Sequence, residues 1–276
     1  MLTLGSIRIE VPAVMGILNV TPDSFSDGGK FAVRDAALRQ ADSMAAAGAA
    51  IIDIGGESTR PGAKDINEQE ELDRVLPVVE AVAASVAVPV SIDTSKPVVM
   101  RAAVASGAAM INDIRALQEE GALSAVTELQ IPVCLMHMQG LPRTMQHSPE
   151  YSDVVSEVRS FLAARISACR EAGLAEELLI VDPGFGFGKT VQHNVELLAN
   201  LRQLRDLGRP VLAGLSRKST LGVLTGRDVS ERLPASIAAA VVTVMQGADI
   251  VRVHDVGETV DALRVAAVVM ESDTLR

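Results

Sequence analysis

Eight short apolar stretches recur along the chain, each rich in Val, Ile, Leu or Met. They cover residues 14–20, 49–55, 88–94, 109–114, 132–138, 178–184, 210–216 and 248–254. Most are bounded by Gly or Pro, and most are too continuously apolar to have one face in water. Such stretches are typical of strands that are buried on both faces of a parallel sheet.

Segments with apolar residues at helical spacing lie between these predicted strands. They cover residues 34–48, 68–82, 154–173, 193–208 and 236–247. A helix followed by Gly, Ala and a buried strand recurs in AAAGAAIIDI, VASGAAMINDI and VMQGADIVRV. The regular alternation predicts a single α/β domain over residues 1–276. Eight such units favour a closed (β/α)8 TIM barrel over an open doubly wound sheet.

Nearly every predicted strand ends in a polar side chain. These residues are Asn19, Asp53, Asp93, Asn112, His137, Asp182, Ser216 and the pair Arg252 and His254. Burying a polar side chain is costly unless it is satisfied. In a barrel all the carboxyl ends of the strands meet at one mouth, where active sites lie. We therefore expect these residues to form a ring around a binding site.

Cationic residues follow the last two strands. Arg252 and His254 are two residues apart, so both face the same side of their strand and suit an anion. A salt-bridged Arg beside a structural His would give the same pattern. Ser216, Arg217 and Lys218 precede a helix predicted to begin at Ser219, a position where barrels often bind phosphate. The alternative there is a solvated basic turn.

Two loops rich in Gly, Ser and Asp follow the first two strands, at about residues 21–31 and 58–70. Their composition predicts mobile loops that close over the site, although plain surface loops would have the same composition.

The stretch DPGFGFGKT, residues 182–190, ends like a phosphate-binding loop. Such a loop requires Gly at the position occupied by Pro183, so we interpret the stretch as the end of the sixth strand. Asp182 would then face the ligand, and Phe187 would provide an apolar wall for an aromatic ring. Residues 188–190 would lead into the next helix.

Composition limits the partners. The formal net charge of −10 disfavours nucleic acid and anionic membrane surfaces. Cys134 and Cys169 form no C-x-x-C motif, and no apolar run reaches the roughly 18 residues of a membrane span. With no pattern of a signal peptide at the N-terminus, we expect a cytoplasmic protein with reduced thiols.

Eight motifs in a fixed order carry a family resemblance. They are MGILNVTPDSFSDGG, DIGGESTRPGA, SIDT, INDI, LMHMQG, DPGFGFGKT, SRKS and RVHDV. Together they closely resemble the dihydropteroate synthases of bacterial folate biosynthesis, from about Pro12 to Val269. The resemblance implies a transferase with a barrel fold, usually a homodimer and a sulfonamide target. It would join 6-hydroxymethyl-7,8-dihydropterin diphosphate to 4-aminobenzoate, with Mg2+ as cofactor.

The resemblance also implies a role for each matching residue. The pterin would be bound by Asp93, Asn112, Asp182, Lys218, Met136 and Gly214. The diphosphate would be bound by Asn19, Arg252 and His254, with Asn19 also touching Mg2+. The 4-aminobenzoate would be bound by Phe25, Thr59, Arg60, Pro61, Phe187 and Ser219. The catalytic set would be Asn19, Arg60, Lys218, Arg252 and His254.

The chemistry of these substrates favours an SN1-like substitution. A neutral arylamine needs no strong base, so breaking the C–O bond to diphosphate is the difficult step, and nearby cations stabilise the departing charge. Two alternatives share the pterin-binding residues: a pterin-dependent methyltransferase of the same barrel group, and a non-catalytic pterin-binding paralogue. Ser216–Lys218 and Arg252 with His254 argue against the methyltransferase. Asn19 and Thr59–Pro61 argue against the paralogue.

Overall fold

The computed structural model describes residues 1–21, 30–58, 65–140, 144–146 and 148–274. Eight parallel strands form the barrel, and each lies within or overlaps one of the predicted apolar stretches. They are β3 (Ala13–Asn19), β4 (Ile51–Gly55), β5 (Val90–Asp93), β6 (Met110–Asp113), β7 (Val133–Met136), β8 (Leu179–Asp182), β9 (Leu212–Ala213) and β10 (Ile250–Val253). Their order around the sheet is β8-β7-β6-β5-β4-β3-β10-β9.

The sheet closes between its first and last strands. Val181 and Val211 form a parallel bridge, and the Val181 amide donates to the Pro210 carbonyl at 2.9 Å. The predicted (β/α)8 TIM barrel is therefore confirmed.

Helices pack around the sheet along the described chain. They are α1 (Lys30–Ala46), α2 (Glu68–Ser85), α3 (Pro97–Ala105), α4 (Ala122–Leu129), α5 (Val154–Glu171), α6 (Val191–Ala199), α7 (Ser219–Thr225), α8 (Leu233–Met245) and α9 (Val256–Thr274). Short 3-10 segments cover Glu176–Leu178, Leu201–Leu207 and Val229–Glu231. The segment predicted as one helix at 193–208 thus breaks after α6 and continues as a 3-10 turn.

The repeated helix-to-strand junction depends on glycine. Gly48, Gly107 and Gly247 have φ of 97°, 109° and 100°, in the left-handed region that other residues rarely adopt. This geometry confirms the repeating unit predicted from the sequence.

The interior of the barrel is apolar towards the amino ends of the strands and polar towards their carboxyl ends. Ile51, Met110, Ile180 and Ile250 point inwards and belong to one buried cluster. Side chains of a strand alternate between its two faces, so the residues two positions further on face the interior as well. These inward positions are Asp53, Asn112, Asp182 and Arg252. The polar ends of the strands therefore rest on an apolar floor.

An N-terminal hairpin, which the sequence patterns did not predict, closes the lower end of the barrel. Strands β1 (Leu2–Leu4) and β2 (Ile7–Ile9) pair antiparallel, with Leu2 opposite Ile9. Ile7 and Ile9 are buried in the same cluster as the apolar floor. Because each strand has only three residues, their alternation is too short to be recognised by its period.

The two predicted mobile loops lie only partly within the described chain. Residues 22–29 and 59–64 are outside it, while Lys30 and Phe31 begin α1 and Glu68–Glu70 begin α2. Asn67 caps α2 by accepting a hydrogen bond from the Glu70 amide at 2.9 Å.

Two further expectations from the sequence concern the cysteine thiols and a membrane-spanning segment. Cys134 and Cys169 are free and buried, and burial raises the pKa of both thiols, to about 11 for Cys169. Within the described residues, no helix combines the length and the apolar character needed to cross a membrane.

Candidate active site

A buried ion-pair network lies at the centre of the barrel mouth. The Arg252 guanidinium donates from Nε to Asp53 Oδ2 at 2.5 Å and from Nη2 to Asp93 Oδ2 at 2.8 Å. Asn112 Nδ2 donates to the same Asp53 oxygen at 2.9 Å. Side chains from strands β4, β5, β6 and β10 are thereby joined. The network also turns the Asn112 carbonyl oxygen away from Asp53, where it can accept from a ligand.

The Asp93 carboxyl titrates far from its ordinary range. Its pKa is raised to about 7, mainly by burial; Arg252 acts in the lowering direction, and the charges of Asp53 and Glu71 add to the rise. Asp93 therefore carries a proton for part of the time at neutral pH. Asp93 Oδ2 and Asn19 Oδ1 both face Gly55, where an added Cβ would be 3.6 Å from the first atom and 3.7 Å from the second.

Asp182 and Lys218 form a second charged pair on the opposite side of the mouth. Burial raises the pKa of Asp182, and the nearby Lys218 charge lowers it. Asp182 Oδ1 also accepts from the Gly184 amide at 2.7 Å. Burial lowers the pKa of Lys218 to about 8, while Asp182 acts in the other direction. Lys218 can therefore lose its proton more readily than an exposed lysine.

Lys218 also connects this polar region to an aromatic wall. Its Nζ donates to the Phe185 carbonyl and lies 4.6 Å from the centroid of the Phe187 ring, in cation–π contact. Lys218 is the N-cap of α7, and Ser219 is the first residue of that helix, as predicted. The amino end of the helix therefore faces the same region.

His254 is held by a serine on the neighbouring strand end. Ser216 Oγ lies 3.1 Å from His254 Nδ1 and accepts from the His254 amide at 3.2 Å. With Nδ1 occupied by Ser216, contacts of this imidazole with a ligand would be made through Nε2.

Met136 and Gly214 line the mouth next to Asp182 and Arg252, respectively. Met136 is buried and lies opposite Asp182 in the register of β7 and β8. A Cβ on Gly214 would be 3.7 Å from the Cβ of Arg252. A small residue there leaves room beside the guanidinium.

Phe25, Thr59, Arg60 and Pro61 lie outside the described residues. Their predicted contacts with 4-aminobenzoate stay predictions. Of the predicted aminobenzoate set, Phe187 and Ser219 are described, and both lie around Lys218.

Two residues from the predicted polar region have a different role. His137 was expected in the ring, but it comes one residue after the inward-facing Met136 and points to the outer side. Its ring contacts Lys189 Nζ at 2.9 Å and Phe161 edge-on at 4.9 Å between centroids. Arg217 does not face the mouth either: its Nε donates to Asp255 Oδ2 at 3.0 Å.

Two glycines of DPGFGFGKT are required by close contacts with the backbone of another segment. A Cβ on Gly184 would be 1.9 Å from the His137 carbonyl oxygen, and one on Gly188 would be 2.3 Å from that of Gln139. Both have positive φ. These two glycines allow the loop to pack on the segment that follows β7.

Sequence reasoning gave no role to two buried charged residues of the site. Asp53 was recognised as a polar strand end, but its function as the shared acceptor of Arg252 and Asn112 was not. Lys189 was assigned to the run-in of α6, and Thr190 does cap that helix. Lys189 itself, however, is only 2% exposed. A long cationic side chain gives no sequence signal of burial.

Comparison with known proteins agrees with this geometry. Residues 15–254 match the family model described as pterin binding enzyme. The dihydropteroate synthase of Escherichia coli strain K12 is 55% identical over 260 residues, which is 94% of this chain and 92% of the relative.

Solved structures of two such enzymes share the fold. The Yersinia pestis dihydropteroate synthase, in a complex with a sulfonamide drug, has a TM-score of 0.93 at 52% identity over 98% of this chain and 99% of that one. The Xanthomonas albilineans enzyme with 4-aminobenzoic acid has a TM-score of 0.89 at 54% identity over 94% and 93% of the chains. The same enzyme with 7,8-dihydropteroate gives 0.87 at 50% identity over 95% of each chain.

The raised pKa of Asp93 predicts a stability profile that falls with pH. The folded chain keeps this proton up to about pH 7, whereas the unfolded chain loses it near pH 4. The stabilisation from this group is therefore complete below pH 4 and is lost as the pH rises to 7. Relative to wild type, Asp93→Asn should gain on the order of 2–4 kcal/mol of unfolding free energy over that interval.

Urea unfolding at a series of pH values measures this difference. Asp42→Asn, which removes an exposed carboxylate outside the ion-pair network, is the control. Parallel profiles for Asp93→Asn and wild type would show that the pKa of Asp93 is not raised.

Proposed function

Because this chain belongs to the pterin-binding enzymes and, within them, to the dihydropteroate synthases, we propose that the barrel mouth holds its two substrates on either side of Lys218. The enzyme joins 6-hydroxymethyl-7,8-dihydropterin diphosphate to 4-aminobenzoate, giving 7,8-dihydropteroate and diphosphate. This placement of the substrates is based on the position of Lys218. Its charge interacts with the buried Asp182 carboxylate on one side, and its ammonium lies against the Phe187 ring on the other. The Escherichia coli relative is a dihydropteroate synthase, and none of the described residues of the mouth favours the methyltransferase or the non-catalytic alternative.

The interior suits the pterin because its acceptors match the donors of that ring. A pterin edge presents an exocyclic NH2 and ring N–H groups, which carboxylate and amide oxygens accept. Asp93, Asp182 and the Asn112 carbonyl oxygen supply these acceptors. Lys218 would donate to the pterin carbonyl and the neighbouring ring nitrogen. Met136 and Gly214 would leave a flat space for the ring.

The diphosphate would lie at the upper edge of the mouth, between Asn19, Arg252 and His254. Arg252 uses two of its five N–H groups on Asp53 and Asp93. Its remaining donors, together with His254 Nε2, would bind phosphate oxygens. The carboxylates hold the guanidinium in place, so it is already oriented when the anion arrives.

A magnesium ion would fit beside the diphosphate, next to Asn19. Mg2+ prefers oxygen ligands and is often held by one or two protein oxygens with the phosphates of a substrate. Asn19 Oδ1 offers such an oxygen, and like Asp93 Oδ2 it faces Gly55. Among the described residues there is no cluster of three His, Cys, Asp or Glu that could hold a metal. When bound, the ion would neutralise charge on the departing diphosphate.

The residues of the mouth favour cleavage of the C–O bond before the amine attacks. Arg252 and His254 would stabilise the negative charge that develops on the diphosphate oxygen. The carboxylates Asp93 and Asp182, beside the pterin, would stabilise the positive charge that spreads over the ring. The neutral amine of 4-aminobenzoate, placed against Phe187, then forms the new C–N bond and loses a proton. We expect sulfonamides to compete for this aminobenzoate position.

An apolar surface on three neighbouring helices supports a homodimer. It is formed by exposed side chains of α7, α8 and α9, namely Val223, Leu224, Val242, Met245, Val265 and Val268. Exposed apolar side chains that gather on neighbouring helices mark protein interfaces. A second copy of the chain is the proposed partner, since soluble oligomers are mostly symmetric homodimers.

Loss of the Lys218 ammonium should abolish pterin binding. Lys218→Ala removes a buried charge-assisted donor, so affinity for the pterin diphosphate should fall at least about 100-fold by calorimetry. The neighbouring Arg217→Ala is the matched control, because that side chain pairs with Asp255 instead, and its affinity should stay within about threefold. Wild-type affinity for Lys218→Ala would remove Lys218 from the site.

The order of bond changes can be tested without 4-aminobenzoate. The pterin diphosphate is labelled with oxygen-18 in the C–O–P bridge and incubated with enzyme and Mg2+. If the C–O bond breaks first, the label should move into non-bridging positions of the recovered substrate, and a parallel sample with EDTA should show much less exchange. A label that stays in the bridge until the amine is added would favour concerted displacement.

Charges in the apolar surface should separate the proposed dimer. The double change Val265→Glu and Val268→Glu places two carboxylates on one face of α9, where they would be buried between copies. Sedimentation should show wild type at about twice the chain mass of 29.0 kDa and the variant at that mass. Val195→Glu, an exposed apolar position on α6, should leave the dimer intact. Wild type at the single-chain mass would overturn the homodimer.

A further inference from the structure

Lys189 is a buried cation with a complete set of partners. Its Nζ lies 2.9 Å from the Gly184 carbonyl oxygen, 3.1 Å from the Phe187 carbonyl oxygen and 2.9 Å from His137 Nδ1. An ammonium has three N–H donors and no acceptor. Three donors therefore meet three acceptors, two of them in the segment 184–187 and one in the segment that follows β7.

The neighbouring histidine is in the state that this arrangement requires. Burial and the charge of Lys189 lower the pKa of His137 to about 3, so its ring is neutral and Nδ1 can accept. Burial also lowers the pKa of Lys189, to about 7, with Asp182 acting in the other direction and Lys218 in the same direction. A neutral amine would have only two donors for the three acceptors.

The segment held by Lys189 is the loop that carries Phe187. Gly184 and Phe187 are the two ends of a tight turn, in which the Phe187 amide donates to the Gly184 carbonyl at 3.1 Å. Asn194 Oδ1 accepts from the Gly186 amide at 2.8 Å, and the Tyr151 hydroxyl donates to the Gly188 carbonyl at 2.8 Å. Lys189 alone among these side chains bonds to both ends of the turn and to the β7 segment.

The turn formed by residues 184–187 also positions Lys218. The carbonyl of Phe185, at the centre of the turn, accepts from Lys218 Nζ, and the ring of Phe187 stacks against that ammonium. A small rotation of the turn would therefore move the aromatic wall relative to Lys218. The side chain of Lys189 lies behind the turn and is almost fully buried.

We propose that Lys189 is a positioning residue, which fixes the turn 184–187 on the His137 segment and so sets the place of Phe187 for binding 4-aminobenzoate. The inference rests on the proposed contact of Phe187 with that substrate. Lys189 touches neither substrate and acts through the turn. Its loss should therefore affect the affinity for 4-aminobenzoate more than the rate of the chemical step.

Steady-state kinetics of Lys189→Met test the proposal. Methionine has a similar length but no donors, so the KM for 4-aminobenzoate should rise about tenfold, while kcat and the KM for the pterin diphosphate should change less than about threefold. Lys189→Gln retains two donors and should give an intermediate KM. If Lys189→Met does not fold, the same measurement is made on Lys189→Gln alone. Hydrogen exchange at the Gly186 and Phe187 amides should accelerate in both variants.

A matched control separates positioning from general stability. Arg209 bonds to the Glu176 carbonyl at 2.6 Å at the opposite end of the barrel. Arg209→Met should therefore lower the melting temperature without changing either KM. If the Lys189 variants behave in the same way, with lower stability and unchanged KM values, Lys189 has only a structural role and the proposal is overturned.

The variant Phe187→Ala distinguishes two reasons for a negative result: a wrong role for Lys189, and a wrong assignment of the aminobenzoate position. If Phe187→Ala leaves the KM for 4-aminobenzoate unchanged, the assignment of the aminobenzoate position is wrong, and the role of Lys189 falls with it. If Phe187→Ala raises that KM and the Lys189 variants do not, only the inference about Lys189 is wrong.

Discussion

The bonds between Arg252 and the carboxylates of Asp53 and Asp93 are the constraint on which the mouth of the barrel depends. Buried carboxylates without a cation would be neutralised or would destabilise the fold, since desolvation of an unpaired charge costs several kcal/mol. One guanidinium joins strands β4, β5 and β10, and Asn112 shares the Asp53 oxygen. The same bonds that make these charges tolerable also fix which atoms of Arg252 and Asn112 remain for a ligand.

A second constraint acts on the cations of the opposite wall. Lys189 and Lys218 are both desolvated, and the Asp182 carboxylate is the common negative charge that opposes the loss of their protons. Their partners differ in kind. Lys189 is saturated by backbone and imidazole acceptors behind the turn, whereas Lys218 has a carbonyl and an aromatic ring and still faces the mouth. Saturation suits a positioning role, and incomplete saturation suits a ligand-binding one.

Much of this arrangement could be predicted from the sequence, because two strong periodic signals agree. Buried strands and repeated helix-Gly-Ala-strand junctions specified the barrel, and polar strand ends specified the mouth. The errors arose where one residue decides the direction of a side chain: His137 lies one position beyond the inward-facing Met136 and so points outwards. The burial of Lys189 and the N-terminal hairpin depend on contacts between distant segments, for which composition and short-range spacing contain no signal.

The charge state of the mouth connects the fold to the reaction. An acidic interior alone would repel a diphosphate, and a basic one would not accept the N–H edge of a pterin. In the proposed placement the strand ends divide these tasks: Asp182 and Asn112 would accept from the pterin, and Asn19 and His254, at the end of β3 and just after β10, would bind the diphosphate. Arg252 donates to Asp53 and Asp93 and would also bind the phosphate, so in this proposal the binding of the anion and the orientation of the two carboxylates are coupled through one guanidinium. A change that weakens either group of Arg252 bonds should therefore affect both the pterin and the diphosphate part of that one substrate, whereas a change behind the Phe187 turn should act on the aminobenzoate side.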